Sequence, residues 1–501
     1  MKEEELCMNP NILVQYLKKP TIEFTKEDII KFIEENDIEM LNFRYVGEDG
    51  KLKTLNFIIS SKEHLDSILT TGERVDGSSL FSFIEAGSSD LYVIPRFKTA
   101  FVNPFTEIPT LDILCSFYNS NGKPLESSPE YILKKANREF HEKTGYTFKA
   151  LGELEYYVIS EKEELYPAVD QKGYHESSPF VKWDILRIEA LRLIAQSGGK
   201  IKYGHSEVGN FTDDDFAYEQ HEIEFLPQNI EDAADQMIIA KWILRMLGEQ
   251  YNVNISFAPK ITVGKAGSGL HIHMLLEKDG KNIMINKNKL SDTAKNIIAG
   301  LCDLAASLTA FGNTIPTSYL RLVPHQEAPT NICWGDRNRS VLIRVPLGWL
   351  GVNDMINDAN PNYKIKEKNI PQKQTVEIRS PDGSADIYCL LAGIIVACQH
   401  GLEMPNALKR AEELYVDVNI FKDEYKEKLN KLAQLPISCW ESAEILEKQR
   451  SFYEKNNIFP SGTIDNFIKK LKSYKDKNLS EKLYGKKEDI KKLVDKYIHC
   501  M

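Results

Sequence analysis

Residues 152–158 read GELEYYV, an apolar run interrupted by two glutamates, Glu153 and Glu155. The run lies within YTFKALGELEYYVI, which reads as a strand region. Alternate strand side chains share a face, so the two carboxylates point the same way. Like charges on one face repel, and burying them is costly unless something positive lies between them. Two readings stand at this point: a solvated strand face, or one wall of a divalent cation site.

Working outward, four other stretches pose the same puzzle. In GSGLHIHMLL, His271 and His273 share a face of an apolar strand that follows a glycine-rich loop. In HSEVGN, Glu207 follows His205; in EQHEIEF, Glu222 and Glu224 alternate with apolar residues; in TVEIRSPD, Glu377 and Arg379 share a face. Each has a plain structural explanation, such as a hydrogen-bonded core pair or a cross-strand ion pair. As a set they bring acid and imidazole groups from separate strands to one face. Carboxylates with imidazole and without thiolate suit Mg²⁺ or Mn²⁺ better than zinc. Arginines form a second theme: RLVPHQEAP holds Arg321 and Glu327, and DRNRSVLIRVP holds Arg337, Arg339 and Arg344. Guanidinium groups bind carboxylate or phosphate in a bidentate manner. Metal-binding acids beside arginines are the parts of a phosphoryl-transfer site working on a metal–nucleotide.

The 501-residue chain has a formal net charge of −10, 42% hydrophobic and 27% charged residues, an ordinary soluble composition with length for a large core. The acidic total argues against nucleic acid as the main partner. Eight scattered cysteines, without CxxC or zinc-type spacing, fit a reducing compartment. MKEEELC has no signal-peptide character, and IYCLLAGIIVAC at 387–398 is too short to span a bilayer. The expectation is a cytoplasmic protein without a membrane segment.

TKEDIIKFIEEN at 25–36 predicts a threonine-capped helix, followed by the strands MLNFRYV, LKTLNFIIS, DLYVIPR and LDILCSF. These form a small domain over 25–118. Ser128-Pro129-Glu130 opens a helix after a polar linker. Strands and long helices then alternate in a large antiparallel-rich body over 119–465, and the lysine-rich end at 466–501 reads as a solvated helical extension. The fold class is α+β.

With these motifs assembled, the chain resembles the glutamine synthetase family of the bacterial type I kind, over about residues 25–465. The resemblance is carried by VDGSS at 75–79, GELEYY, HSEV, EQHEIEF, GSGLHIH, SYLRLVPHQEAP, RNRSVLIRVP and EIRSPDGSAD, in the family's order. It implies an N-terminal β-grasp-like domain and a catalytic domain with a curved antiparallel sheet flanked by helices. It implies ATP-dependent joining of ammonia to L-glutamate through γ-glutamyl phosphate, with two or more Mg²⁺ or Mn²⁺ ions. By motif position, Glu155, Glu207 and Glu222 would hold one ion, and Glu153, His271 and Glu377 the other. Arg321, Arg379 and Gly267 would bind glutamate. Arg339 and Arg344 would face the phosphates, and His273 would contact ATP. Asp76 and Ser79 would bind ammonium in a neighbouring subunit's site, and Glu327 would close over the intermediate. The implied assembly is a ring oligomer, usually two stacked hexamers, that is, a dodecamer.

The chain departs from the family in places. Ala266 stands where the family has an asparagine that helps hold glutamate. The acidic stretch VGNFTDDDFAY lengthens the connection between Glu207 and Glu222, which leaves Glu224 as a rival to Glu222. Gln372 replaces a frequent lysine, with Lys373 adjacent, and Tyr415 in ELYVDV only loosely matches a regulatory tyrosine, so a packed tyrosine is expected. The alternatives are a γ-glutamyl ligase for an organic amine and a non-catalytic ring-forming relative.

Overall fold

The computed structural model describes residues 6–85, 87, 89–323, 328–348, 355–362, 372–418 and 431–501. Its first core is built on a six-stranded sheet ordered β2-β1-β6-β4-β3, with β5 pairing β6. These strands are β1 (Met40–Val46), β2 (Leu52–Ile58), β3 (Glu73–Asp76), β4 (Asp90–Pro95), β5 (Phe101–Val102) and β6 (Thr110–Tyr118). β1 and β6 run parallel, and the remaining pairs are antiparallel. The predicted first helix spans Lys26–Glu35; Thr25 and Asp28 form a reciprocal capping box at its start. Ile29, Ile30, Phe32 and Ile33 face the core. A second helix, Lys62–Thr71, was not anticipated from the sequence; Ser61 caps it and Leu65, Ile68 and Leu69 are its buried stripe. The same core reaches back to Leu6, Leu13 and Val14, N-terminal to the expected start at residue 25.

The second sheet has ten strands among the described residues. Its path runs 334–336, 343–345, 376–378, 270–278, then β7 (Thr147–Glu161), β9 (Phe216–Phe225) and β8 (Ile201–Thr212). All pairs are antiparallel except 334–336 with 343–345, which are parallel, so the expected antiparallel sheet has a mixed edge. Long helices, among them Ile230–Gln250, Asp292–Gly312 and Ile387–Glu403, cover its other face. The Asp292–Gly312 helix is apolar and long enough to cross a membrane, but 78% of its apolar window is buried inside the protein.

The β7 pattern explains the fold decision. Phe148, Ala150, Leu154, Tyr156 and Val158 enter the main core, while Lys149, Glu153 and Glu155 face the opposite way. Gly152 leaves room for the Ile230–Gln250 helix: a Cβ there would lie 2.4 Å from the Met237 sulfur. The two sheets are joined by Arg96, which makes bonds of 2.7 and 3.0 Å to Asp235, and by Lys98 with Asp232.

The long acidic connection at 208–218 is ordered as strand and turn. It is the tip of the β8–β9 hairpin. Phe211 and Tyr218 stack with centroids 4.3 Å apart, and Asp213 accepts from Asp215 N, Phe216 N and the Tyr218 hydroxyl. The acid thus makes the turn, and the aromatics align the strands. The lysine-rich end forms exposed helices at Leu479–Leu483 and Lys487–Tyr497. Its last residues are docked: Ser256 Oγ donates to Ile498 O, and Arg245 to Cys500 O and Met501 O. The cysteines are all free, and seven are buried. Tyr415 packs against Trp334, ring centroids 4.8 Å apart.

Candidate active site

Register places the polar residues in rows across the large sheet. One row runs Arg344, Glu377, His273. The next runs His271, Glu153, Glu224, and the third Glu155, Glu222, His205. Each is the non-core side of a strand whose alternate residues (Ile272, Leu154, Ile223, Ile378) are buried in the main core. The rows floor a cavity of about 1,170 Å³. β8 slips register between Ser206 and Asn210, so Glu207 sits on an irregularity beside Glu222. A bulge of this kind re-aims a side chain.

The acids are unevenly charged. Burial would raise the Glu153 carboxyl, but His273 Nε2 and His271 Nδ1, each 2.9 Å away, hold it well below the usual range. Burial opposes charging of His273, yet Glu153 and Glu377 raise its imidazole. Glu222 goes the other way. Burial, then the carboxylates of Glu153, Glu155, Glu207 and Glu224, push its carboxyl well above the usual range. Burial lowers His205, whose Nε2 is 3.2 Å from Glu222.

Two sets of donor atoms converge, each within 4.8 Å of one another: Glu153, His273 and Glu377, and His205, Glu207 and Glu222. The expected sets differ by one member each. His271 lies between the groups, with Nδ1 3.6 Å from Glu377 and Nε2 3.8 Å from Glu155. Glu155 Oε2 accepts from Gly269 N at 2.6 Å and from Gln220 Nε2 at 3.3 Å. The donor set is oxygen and imidazole nitrogen, and its crowded carboxylates repel. Hard divalent ions fit both features. Glu222 rather than Glu224 joins His205 and Glu207; Glu224 instead pairs with Lys202 at 2.6 Å.

The arginines rim the same cavity. Arg344 Nη1 is 3.1 Å and Arg379 Nε 3.0 Å from Glu377. Arg321 donates to Ser380 O, Pro381 O and Arg379 O, which ties down the SPDG loop. Arg339 and Tyr174 line the cavity as well. Gly267 also lines the cavity; a Cβ there would meet Pro259 O at 2.5 Å, and its carbonyl accepts from Gln220 at 3.0 Å. Ala266 is buried; its carbonyl accepts from Tyr157 Oη and its N–H donates to Gln171 Oε1. Asp76 and Ser79 lie elsewhere, exposed in a turn of the first sheet's domain. Ser79 Oγ, Ser78 and Ser89 donate to Asp76, which lowers its carboxyl. Glu327 lies outside the described residues. Sequence reading passed over Gln220, Lys202, Tyr174 and His205 as site residues. His205 and Gln220 had a signal, their alternation with Glu207 in HSEV and with Glu222 in EQHEIEF; the others are brought in by register and loops.

This arrangement has relatives. Residues 37–120 match the family model "Glutamine synthetase, beta-Grasp domain", and residues 126–483 match "Glutamine synthetase, catalytic domain". A glutamine synthetase of Clostridium saccharobutylicum is 30% identical over 434 residues, covering 85% of this chain and 90% of that protein. One of Staphylococcus aureus is 30% identical over 461 residues, covering 89% and 95%. Among solved structures, the Plasmodium falciparum glutamine synthetase superposes with a TM-score of 0.73 at 22% identity, covering 90% of this chain and 96% of that one. A GmaS solved without ligand superposes with a TM-score of 0.71 at 18% identity over the same shares. The α+β fold, with a β-grasp domain before a catalytic domain, and the two family models together place this chain in the glutamine synthetase family.

Proposed function

We propose that the protein joins ammonia to the γ-carboxylate of L-glutamate at the expense of ATP, yielding glutamine, ADP and phosphate. Family membership supports an ATP-dependent ligase; the choice of ammonia as acceptor is our reading. The observation that carries the proposal is the cavity in which five acid-bearing strands and four arginines meet, with Glu222 crowded by four other carboxylates.

A carboxylate does not exchange its oxygen for nitrogen directly, because oxide is a poor leaving group. Transfer of the ATP γ-phosphoryl to glutamate gives an acyl phosphate and ADP. Ammonia then attacks the acyl carbon, phosphate departs, and the ammonium proton is lost. Arg321, Arg379 and the Gly267 backbone are assigned to the glutamate carboxylates. Arg339 and Arg344 are assigned to the phosphoryl oxygens, where guanidinium stabilises developing charge. His273 is assigned to the nucleotide. Glu155, Glu207 and Glu222, and Glu153, His271 and Glu377, would hold two divalent ions, with His205 an added candidate. Bound Mg²⁺ or Mn²⁺ would neutralise the phosphates and relieve the repulsion among these acids. Asp76 and Ser79 would bind ammonium in the site of an adjacent copy within a ring, the dodecamer being our expectation. Glu327 would shield the acyl phosphate from water.

One observation favours a second reading. Ala266 cannot offer the amide that the family uses for glutamate, which leaves an organic amine as a rival acceptor. The mechanism is tested with glutamate carrying ¹⁸O in its γ-carboxylate. Appearance of ¹⁸O in the released phosphate is expected. Glutamine formed with unlabelled phosphate would rule out the acyl phosphate route.

A further inference from the structure

A second cavity, of about 560 Å³, lies between the two sheets and away from the catalytic cavity. Its walls are the β1–β2 hairpin, the Ile230–Gln250 helix, the start of the Ile387–Glu403 helix and the docked tail. Four basic side chains reach it: Lys51, Lys241, Arg245 and His499. Two acids also line it, Glu249 and Asp386; Asp386 is occupied as a helix cap, accepting from Cys389 N at 3.0 Å. Among the described residues no Asp or Glu side chain pairs with Lys51, Lys241 or Arg245. Lys241 is 5% exposed, and among the described residues its ammonium donates only to Gly383 O, at 2.7 Å. Arg245 is already engaged by the tail, donating to Cys500 O and to a carboxylate oxygen of Met501, which leaves Lys241, Lys51 and His499 as the basic groups open to a further anion. Lys241 and Arg245 lie 5.0 Å from the same Phe257 ring.

A buried lysine beside an arginine is costly to keep charged when its ammonium has only a main-chain carbonyl for a partner. Burial first, and then Arg245, lower the Lys241 ammonium to about 7, with Asp382 and Cys500 opposing weakly. His499 on the rim is lowered by burial and by Arg245 and Lys51. An anion would relieve this repulsion, and the volume suits a small organic molecule. We propose that this cavity is a second binding site for a small anion bearing carboxylate or phosphate groups, held by Lys241 from below and by Lys51 and His499 at the rim. Gly383, which Lys241 holds, lies in the loop whose Ser380 and Pro381 carbonyls accept from Arg321, so the site is one loop away from the catalytic cavity.

The test is calorimetric titration of the full chain with inorganic phosphate and, separately, with glutarate. It is run on the wild type, on Arg339→Ala to weaken phosphate binding in the catalytic cavity, on Lys241→Met, and on the Lys51→Ala, His499→Ala double variant. We expect at least one probe to bind saturably in the wild type and in Arg339→Ala, and about tenfold or more weakly in the other two. We also expect wild-type binding near pH 8 to take up protons, seen as a heat that depends on the buffer's ionisation enthalpy. Binding of phosphate alone identifies a phosphate site, and of glutarate alone a dicarboxylate site. The double variant changes only exposed side chains, so it reports even if Lys241→Met does not fold. The proposal is overturned if neither probe binds, if all binding disappears in Arg339→Ala, or if the double variant binds as the wild type does.

Discussion

Glu222→Gln separates the two faces of the acid cluster. In the metal-free protein the Glu222 carboxyl is held well above its unfolded value by burial and by Glu153, Glu155, Glu207 and Glu224. The folded state therefore binds more protons than the unfolded chain once pH exceeds about 4.3. Stability must fall as pH rises through the window between that value and the raised folded value, by about 1.4 kcal/mol for each unit of elevation. Glutamine fills nearly the same volume without the charge, so the metal-free variant should be the more stable protein at pH 8. With Mg²⁺ the order of response reverses. An ion held at a hundredfold its Kd adds about 2.7 kcal/mol. Over 501 residues, at about 2.1 cal/mol/K per residue, the unfolding entropy is roughly 1 kcal/mol/K, so one ion raises Tm by about 2–3 °C. The wild type should show that gain and Glu222→Gln should lose most of it. Thermal unfolding in EDTA and in Mg²⁺, at pH 5 and pH 8, measures all four corners. A variant that is less stable than wild type in EDTA at pH 8, or that keeps the full Mg²⁺ gain, would refute this account of the cluster.

Further outcomes follow from other contacts. Glu155→Ala should lower kcat by roughly 10²–10³-fold while the far-UV circular dichroism is unchanged. Gly152→Ala places a methyl 2.4 Å from the Met237 sulfur and should cost about 1–3 kcal/mol in urea unfolding; Met237→Ala in the same chain should recover part of that loss. Asp235→Ala strips the partly buried Arg96 of its bidentate partner and removes an acceptor of the Tyr388 hydroxyl; a loss of about 3–5 kcal/mol is expected by the same measurement.

Much of the architecture was legible where period and chemistry agree. The Lys26–Glu35 cap, strands β1, β4 and β6, and the helix opening at Pro129 follow from capping residues and alternation in the chain itself. The Lys62–Thr71 helix was hidden because its apolar stripe is only three residues in a polar segment. The β8–β9 tip showed in the chain only as an acidic, lengthened connection, because three aspartates carry no strand signal, whereas one of them organises a turn between stacked aromatics. For the site, Glu153 and Glu155 showed themselves as charges where a core face was due. The choice between Glu222 and Glu224 needed cross-strand register, since both lie on the same face of β9. The role of Lys202 in neutralising Glu224 is likewise a tertiary fact that spacing does not encode. Asp76 and Ser79 stand in a sequence motif, yet a single chain leaves them exposed, away from the cavity.

Purified protein is incubated with ATP, Mg²⁺ and glutamate, with ammonium or with each of a series of small organic amines, and the products are identified by mass. The account predicts glutamine with ammonium as the sole nitrogen source, with one ADP and one phosphate released per glutamine. A γ-glutamylamide formed only with an organic amine, or no amide product from any mixture, would contradict it.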